Sequence, residues 1–181
     1  MPFVDYTLLQ NNYPDGRMSE NIRRLKTYDA FHCLLAGNFE RADAVKKRVP
    51  GLPEDFLKWL ETCDGGMLFD TTMLTTKSHD PELDLPFETY ASYQNAELRK
   101  DMNLADGWFV FAVAIHSDVF FYDMDKKDGQ VYQWDAEEHK IYASWPSFED
   151  WLTDQINEAV KLIANEELEP LDIKLEADGN E

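Results

Sequence analysis

Leu52-Pro53-Glu54-Asp55-Phe56-Leu57-Lys58-Trp59-Leu60, followed by Cys63-Asp64-Gly65-Gly66, is the stretch on which the reading of this chain turns. Pro53 suits a first helical position, because it has no N–H to leave unpaired and its φ is preset. Glu54 and Asp55 follow in the first turn, where the helix dipole favours anions. Phe56, Leu57, Leu60 and Cys63 make one apolar face. Asp64-Gly65-Gly66 then reads as a sharp helix stop and turn, with short strands expected at residues 67 to 69 and 72 to 76.

Toward the N-terminus, residues 39 to 48 read as a short helix that ends before Pro50. Ser19 is placed to cap an earlier helix. Ile22, Leu25, Tyr28, Phe31, His32 and Leu35 recur at helical spacing, and Gly37-Asn38 suits its stop. Residues 1 to 17 read as an irregular lead-in with Pro14-Asp15-Gly16 as turn chemistry.

Toward the C-terminus, residues 77 to 86 are polar, acidic and proline-bearing, which predicts a surface loop. Residues 87 to 102, with Tyr90, Tyr93 and Leu98, predict a helix. Residues 108 to 115, 119 to 122 and 130 to 134 predict strands, and residues 141 to 143 add a short one. Asp125-Lys126-Lys127-Asp128-Gly129 joins two of them as a hairpin loop. Ser147-Phe148-Glu149-Asp150 is a capping-box-like start, and Phe148, Trp151, Leu152, Ile156, Ala159, Val160 and Ile163 line one face of the helix after it. Helices, then antiparallel strands, then a helix predict an α+β fold. The expected organisation is an N-terminal helical extension (1 to 45), a main domain (46 to 165) and an acidic tail (166 to 181).

With 181 residues, 44% hydrophobic, the chain can bury a real core. It carries 36 acidic against 17 basic side chains, a net charge of −19. Residues 1 to 50 are mildly basic, and the acidity falls on residues 51 to 181. That balance argues against a nucleic-acid scaffold, which needs a basic face. No apolar run is long enough to span a bilayer. The start lacks the basic and apolar regions of a secretory signal. Two cysteines, Cys33 and Cys63, give no disulfide framework. The expectation is a cytoplasmic protein with reduced thiols.

Taken together, these pieces resemble the SUKH superfamily, which includes yeast cell-wall-synthesis regulators and many bacterial immunity proteins. The resemblance rests on Leu52, Pro53, Phe56 and Leu60, then Gly65 and Gly66. It continues through Phe109 to Ala114, Phe120-Phe121-Tyr122-Asp123 and Gly129-Gln130-Val131 to the closing Ser147-Phe148-Glu149-Asp150-Trp151-Leu152. It covers about residues 50 to 155; residues 77 to 107 are long for their slot. It implies a mainly antiparallel sheet packed by helices, with extra N-terminal helices. It also implies protein binding rather than catalysis. Bacterial members look like immunity proteins that neutralise toxins, often nucleases, whereas eukaryotic members look like signalling and scaffold proteins.

Charge points the same way on independent grounds. A nuclease presents a basic surface to its substrate, and an acidic partner can occupy that surface and be steered to it. The residues expected to do so lie in turns around the strands: Asp118, Asp123, Asp125, Asp128, Asp135, Glu137 and Glu138, with Trp134 as the anchor, since Trp is common at hot spots. The alternative is a regulator or scaffold that takes a peptide or small ligand in an apolar groove.

No residue set for catalysis, metal or cofactor emerges. Asp123-x-Asp125-x-x-Asp128-Gly129 departs from a calcium loop, with the third Asp and the Gly one place late and Trp134 at position 12. His32, His79, His116 and His139 are scattered, and neither Cys forms CxxC. His32 is expected as a packing or surface residue of the first helix. His116-Ser117-Asp118 are adjacent, so their side chains do not converge as a triad's do.

Overall fold

The computed structural model describes residues 3–76 and 96–172. Seven strands form one antiparallel sheet in strict chain order: β1 (Cys33–Ala36), β2 (Cys63–Leu68), β3 (Thr71–Met73), β4 (Trp108–Ala114), β5 (Val119–Asp123), β6 (Val131–Asp135) and β7 (Lys140–Trp145). Among the described residues six α-helices accompany it: α1 (Tyr6–Asn12), α2 (Gly16–Thr27), α3 (Phe39–Arg48), α4 (Glu54–Leu60), α5 (Ala96–Asp101) and α6 (Phe148–Ala164). The architecture is α+β, as the element order predicts.

One face of the sheet meets the helices. Phe56 of α4 lies at the centre of an aromatic cluster, 5.2 Å from Phe111, 5.3 Å from Tyr122, 5.5 Å from Phe148 and 6.0 Å from Phe109, between ring centroids. Trp151 and Leu152 of α6 are fully buried in the same core, with Leu52 and Leu60. Residues 3 to 45 share this core through Leu9, Met18, Ile22, Leu25 and Leu34. Helix α2 is bound to α6 by Asn21 Nδ2 donating to Thr153 Oγ1 at 2.8 Å, and by Arg17 between Glu149 and Asp150. On the opposite face, Leu74, Leu104, Val110, Val113, Val119, Phe121, Tyr132 and Trp134 form a second apolar cluster.

The bounds of α3 and the start of α6 match expectation. Ser147 accepts from the Asp150 N–H; Asn38, expected with Gly37 in a helix stop, instead caps α3, accepting from the Arg41 N–H. The N-terminal third departs from it in four places. Residues 1 to 17 contain α1, capped by Asp5, whose carboxylate accepts from the Thr7 and Leu8 N–H groups. Ser19 caps nothing: α2 begins three residues earlier, and Ser19 is buried inside it, bonded to Gln10 Nε2 at 2.6 Å.

Nor does the helix run to residue 36. It stops at Thr27, a short 3₁₀ turn follows (Asp29–Phe31), and Cys33, Leu34 and Leu35 are strand. A short apolar run after helical periodicity fits either state, and pairing with β2 decides it. Consequently His32 is no helix residue. It is buried just before β1, with one ring nitrogen 2.8 Å from the Leu25 carbonyl and the Tyr6 hydroxyl 3.1 Å from the ring.

Asp64-Gly65-Gly66 is also not a helix stop, because α4 ends at Leu60 and all three residues lie in β2. Their reason is close approach. Gly66 sits at φ +112 opposite Leu34, where any Cβ would overlap the Cys33 carbonyl oxygen. Gly65 sits at φ +87, where a Cβ would lie 2.7 Å from the Thr75 nitrogen. Glycine is required at both positions. Of the expected helix over residues 87 to 102, the described part is Ala96–Asp101; its remainder through residue 95 and the loop expected at 77 to 86 lie outside the described residues. So does the tail beyond residue 172.

Candidate partner-binding surface

The acidic residues singled out in the sequence separate into two groups at opposite ends of β5 and β6. Val119 pairs with Trp134, and Tyr122 pairs with Val131. The β5–β6 loop therefore carries Asp123, Asp125 and Asp128 at one end. The β4–β5 and β6–β7 turns bring Asp118, Asp135, Glu137 and Glu138 to the other. The separation is roughly the ~16 Å length of a five-residue strand.

In the first group the carboxylates build the loop. Asp123 accepts from the Asp125 and Lys126 N–H groups at 3.1 and 3.3 Å. Asp128 accepts from the Gln130 N–H at 3.0 Å and from the Tyr132 hydroxyl at 2.7 Å. Slight burial works against its charge, but the Tyr132 and Gln130 bonds outweigh it and hold the carboxyl below its usual range. Lys126 lies 3.6 Å from Asp123 and over the Tyr132 ring, 4.2 Å from its centroid. Lys126 and Lys127 thus offset most of this loop's charge.

The second group is less balanced. Asp118 joins the two turns, accepting from Gln133 Nε2 at 2.9 Å and from the Ala136 N–H at 3.0 Å. Both of its oxygens are engaged, and the segment leading to it is a turn, with the Ser117 N–H donating to the Ala114 carbonyl at 2.9 Å and Ser117 at φ +69. Asp135 accepts from the Glu137 and Glu138 N–H groups through one oxygen. Glu138 pairs with Lys140, and Glu137 is exposed. Four carboxylates here face one lysine.

Large apolar side chains stand exposed around the same turns: Ile115 (69% exposed), Ile141 (42%) and Tyr142 (68%). Trp134 does not join them. It is 8% exposed and packs in the second apolar cluster, its ring 5.1 Å from that of Trp108. An aromatic that alternates with polar neighbours reads as surface when one sheet face is taken as solvated; here both faces are covered at β6. Ile115, Ile141 and Tyr142 were absent from the residues expected to bind. A signal was available, since the segment Lys140-Ile141-Tyr142-Ala143 follows an acidic turn and precedes the last helix, where an edge strand belongs.

The motif residues have structural work. The Asp55 carboxylate accepts from the Phe56 N–H at 2.9 Å and from the Phe148 N–H at 3.1 Å. One acid thereby ties the first turn of α4 to that of α6, joining two distant pieces of the sequence pattern. Asp64, expected in a helix stop and turn, is 1% exposed. It accepts from the Thr76 N–H at 2.7 Å and hydroxyl at 2.6 Å, with Arg41 at 3.5 Å. It pins α3 to the β2–β3 region.

A half-open cavity of about 420 Å³ lies elsewhere, at the β1 side, lined by residues that include Phe3, Val4, Tyr6, Asp29, His32 and Leu171. Burial pushes the His32 imidazole below its ordinary value, and the Leu25 and Asp29 contacts only partly oppose this. Burial likewise raises the Cys33 thiol. Both cysteines are buried and free. Among the described residues, no helix is long and apolar enough to cross a membrane.

Comparison with known proteins adds a family. The family model described as SMI1 / KNR4 family (SUKH-1) matches residues 43–154, from within α3 to the second turn of α6. No curated protein matches the chain.

Proposed function

Because this chain belongs to the SMI1 / KNR4 family (SUKH-1), whose domains interact with proteins in immunity proteins and related regulators, we propose that it is an immunity protein. It neutralises a toxin, a nuclease being the fitting class, by covering the toxin's basic substrate-binding surface in the cytoplasm. The observation that carries this reading is the end of the sheet whose turns carry Asp135, Glu137 and Glu138, with exposed Ile115, Ile141 and Tyr142 in or next to the same turns. Carboxylates stand in for substrate phosphates and steer the encounter. The apolar side chains supply area that leaves water on binding.

Co-expression with toxins encoded in neighbouring reading frames tests it. The expected result is protection of the cells and a complex that weakens as salt rises. No protection, with no complex even at low salt, refutes it.

A second reading has its own observation. The cavity of about 420 Å³ is of a size that takes small ligands, which suits a regulator or scaffold. Binding there would be insensitive to salt, and that separates the two readings.

A further inference from the structure

An open seven-stranded sheet has two edges. At the first, Val4 N–H donates to the Leu34 carbonyl at 2.9 Å, and Phe3 bridges Leu35 in antiparallel fashion. At the other, β7 pairs with β6 and, among the described residues, with no further strand. Lys140, Ile141, Tyr142 and Ser144 are all exposed. Alternate residues of such a strand turn N–H and C=O groups outward.

Edges of this kind are ordinarily blunted by charge, proline or a bulge. Strand β7 has an irregularity where Gln133 pairs with Ala143 and Trp134 with Ile141, and Lys140 stands at its start. Its middle, Ile141-Tyr142-Ala143, carries no charge.

Charge chooses between occupants. Pairing β7 with the β7 of a second copy brings together two chains that each carry net −19. An extended segment with basic side chains meets the same turn as an attractive partner. We propose that β7 accepts a basic, extended segment of a partner protein as an eighth strand. This rests on the acidic protein-binding reading above and specifies its geometry. Main-chain bonds hold the segment, Ile141 and Tyr142 cover its apolar side chains, and the acidic turn selects its lysines or arginines.

The test uses the full chain, ¹⁵N-labelled, with two eight-residue peptides: one alternating lysine and valine, the other glutamate and valine. Amide shifts and hydrogen exchange are followed at low and high salt. The basic peptide is expected to shift and protect amides of residues 140 to 145, and the acidic peptide to leave them unchanged. The double variant Ile141→Lys/Tyr142→Lys alters exposed positions and retains the remaining spectrum; it weakens binding at least tenfold.

If the basic peptide perturbs residues 135 to 138 but leaves the 140 to 145 amides unprotected, strand addition is overturned while the acidic reading stands. If neither peptide binds, or both bind alike without salt dependence, both fall. If the chain instead forms a dimer that the double variant abolishes, with no peptide bound, a second copy is the occupant and the proposal is overturned.

Discussion

Strands β1 and β7 are the two margins of one sheet, built from the same main-chain chemistry, yet they have opposite fates. Leu34 and Leu35 of β1 are 2% and 1% exposed, whereas Ile141 and Tyr142 of β7 are 42% and 68% exposed. Hydrophobicity does not separate them, since both strands carry large apolar side chains. Cover does. Residues 3 and 4 lie along β1, and Leu171 N–H donates to the Ala30 carbonyl at 2.9 Å beside it. All three lie outside the stretch that matches the family, residues 43–154. In this chain, sequence beyond the family pattern closes one margin, while among the described residues no further strand pairs with the other.

The contrast can be broken by substitution. Leu34→Ala, in the closed margin, removes a fully buried side chain and is expected to cost ~2–5 kcal/mol in chemical denaturation. A cost under 1 kcal/mol would show that the β1 margin is not integral to the core. Asp64→Ala, which strips the acceptor from Thr76 and the partner from Arg41, is expected to cost ~2–3 kcal/mol. It loosens the β2 side of the same margin. Ser147→Ala removes the cap of α6, the helix that runs beside β7, for about 1 kcal/mol.

A pH titration sharpens the comparison on the closed side. His32 is held neutral in the fold, with its pKa below the ordinary histidine value, chiefly by burial. The unfolded chain therefore takes up a proton first. His32's contribution is fully present above the ordinary value and is lost as pH falls from there toward the folded pKa. The melting temperature should drop over that window, and His32→Gln should flatten the drop. Smallest of all, Tyr142→Ala at the open margin is expected to shift stability by no more than ~0.5 kcal/mol. A large loss there would mean that β7 is held by contacts of its own.

Legibility followed the locality of the signal. The start of α6 at Ser147, the extent of α3 and strands β4 to β7 follow from caps, turns and apolar runs within a few residues. The β1 strand was hidden because Tyr28, Phe31 and Leu35 continue the spacing of Ile22 and Leu25. Only pairing with a strand thirty residues away stops the helix. Gly65-Gly66 misled for the same reason, since the need for glycine comes from Cys33 and Thr75 rather than from neighbours in sequence. For the candidate surface, the acidic sign and the placement of its carboxylates in turns were legible. That Asp118 belongs with Asp135 and not with Asp123 depends on strand direction, and the burial of Trp134 depends on what lies over a second sheet face.

The contacts Phe3–Leu35 and Leu171–Ala30 bring the two ends of the described chain to one side of the molecule. Six strand spacings, ~29 Å, lie between that side and Tyr142. A dye or immobilising tether attached near residue 3 or residue 172 consequently sits at the opposite margin of the sheet from β7. A donor at one of those ends and an acceptor on an incoming peptide would span a distance suited to energy-transfer measurement. The fold thus comes with its own ruler, graduated in strands.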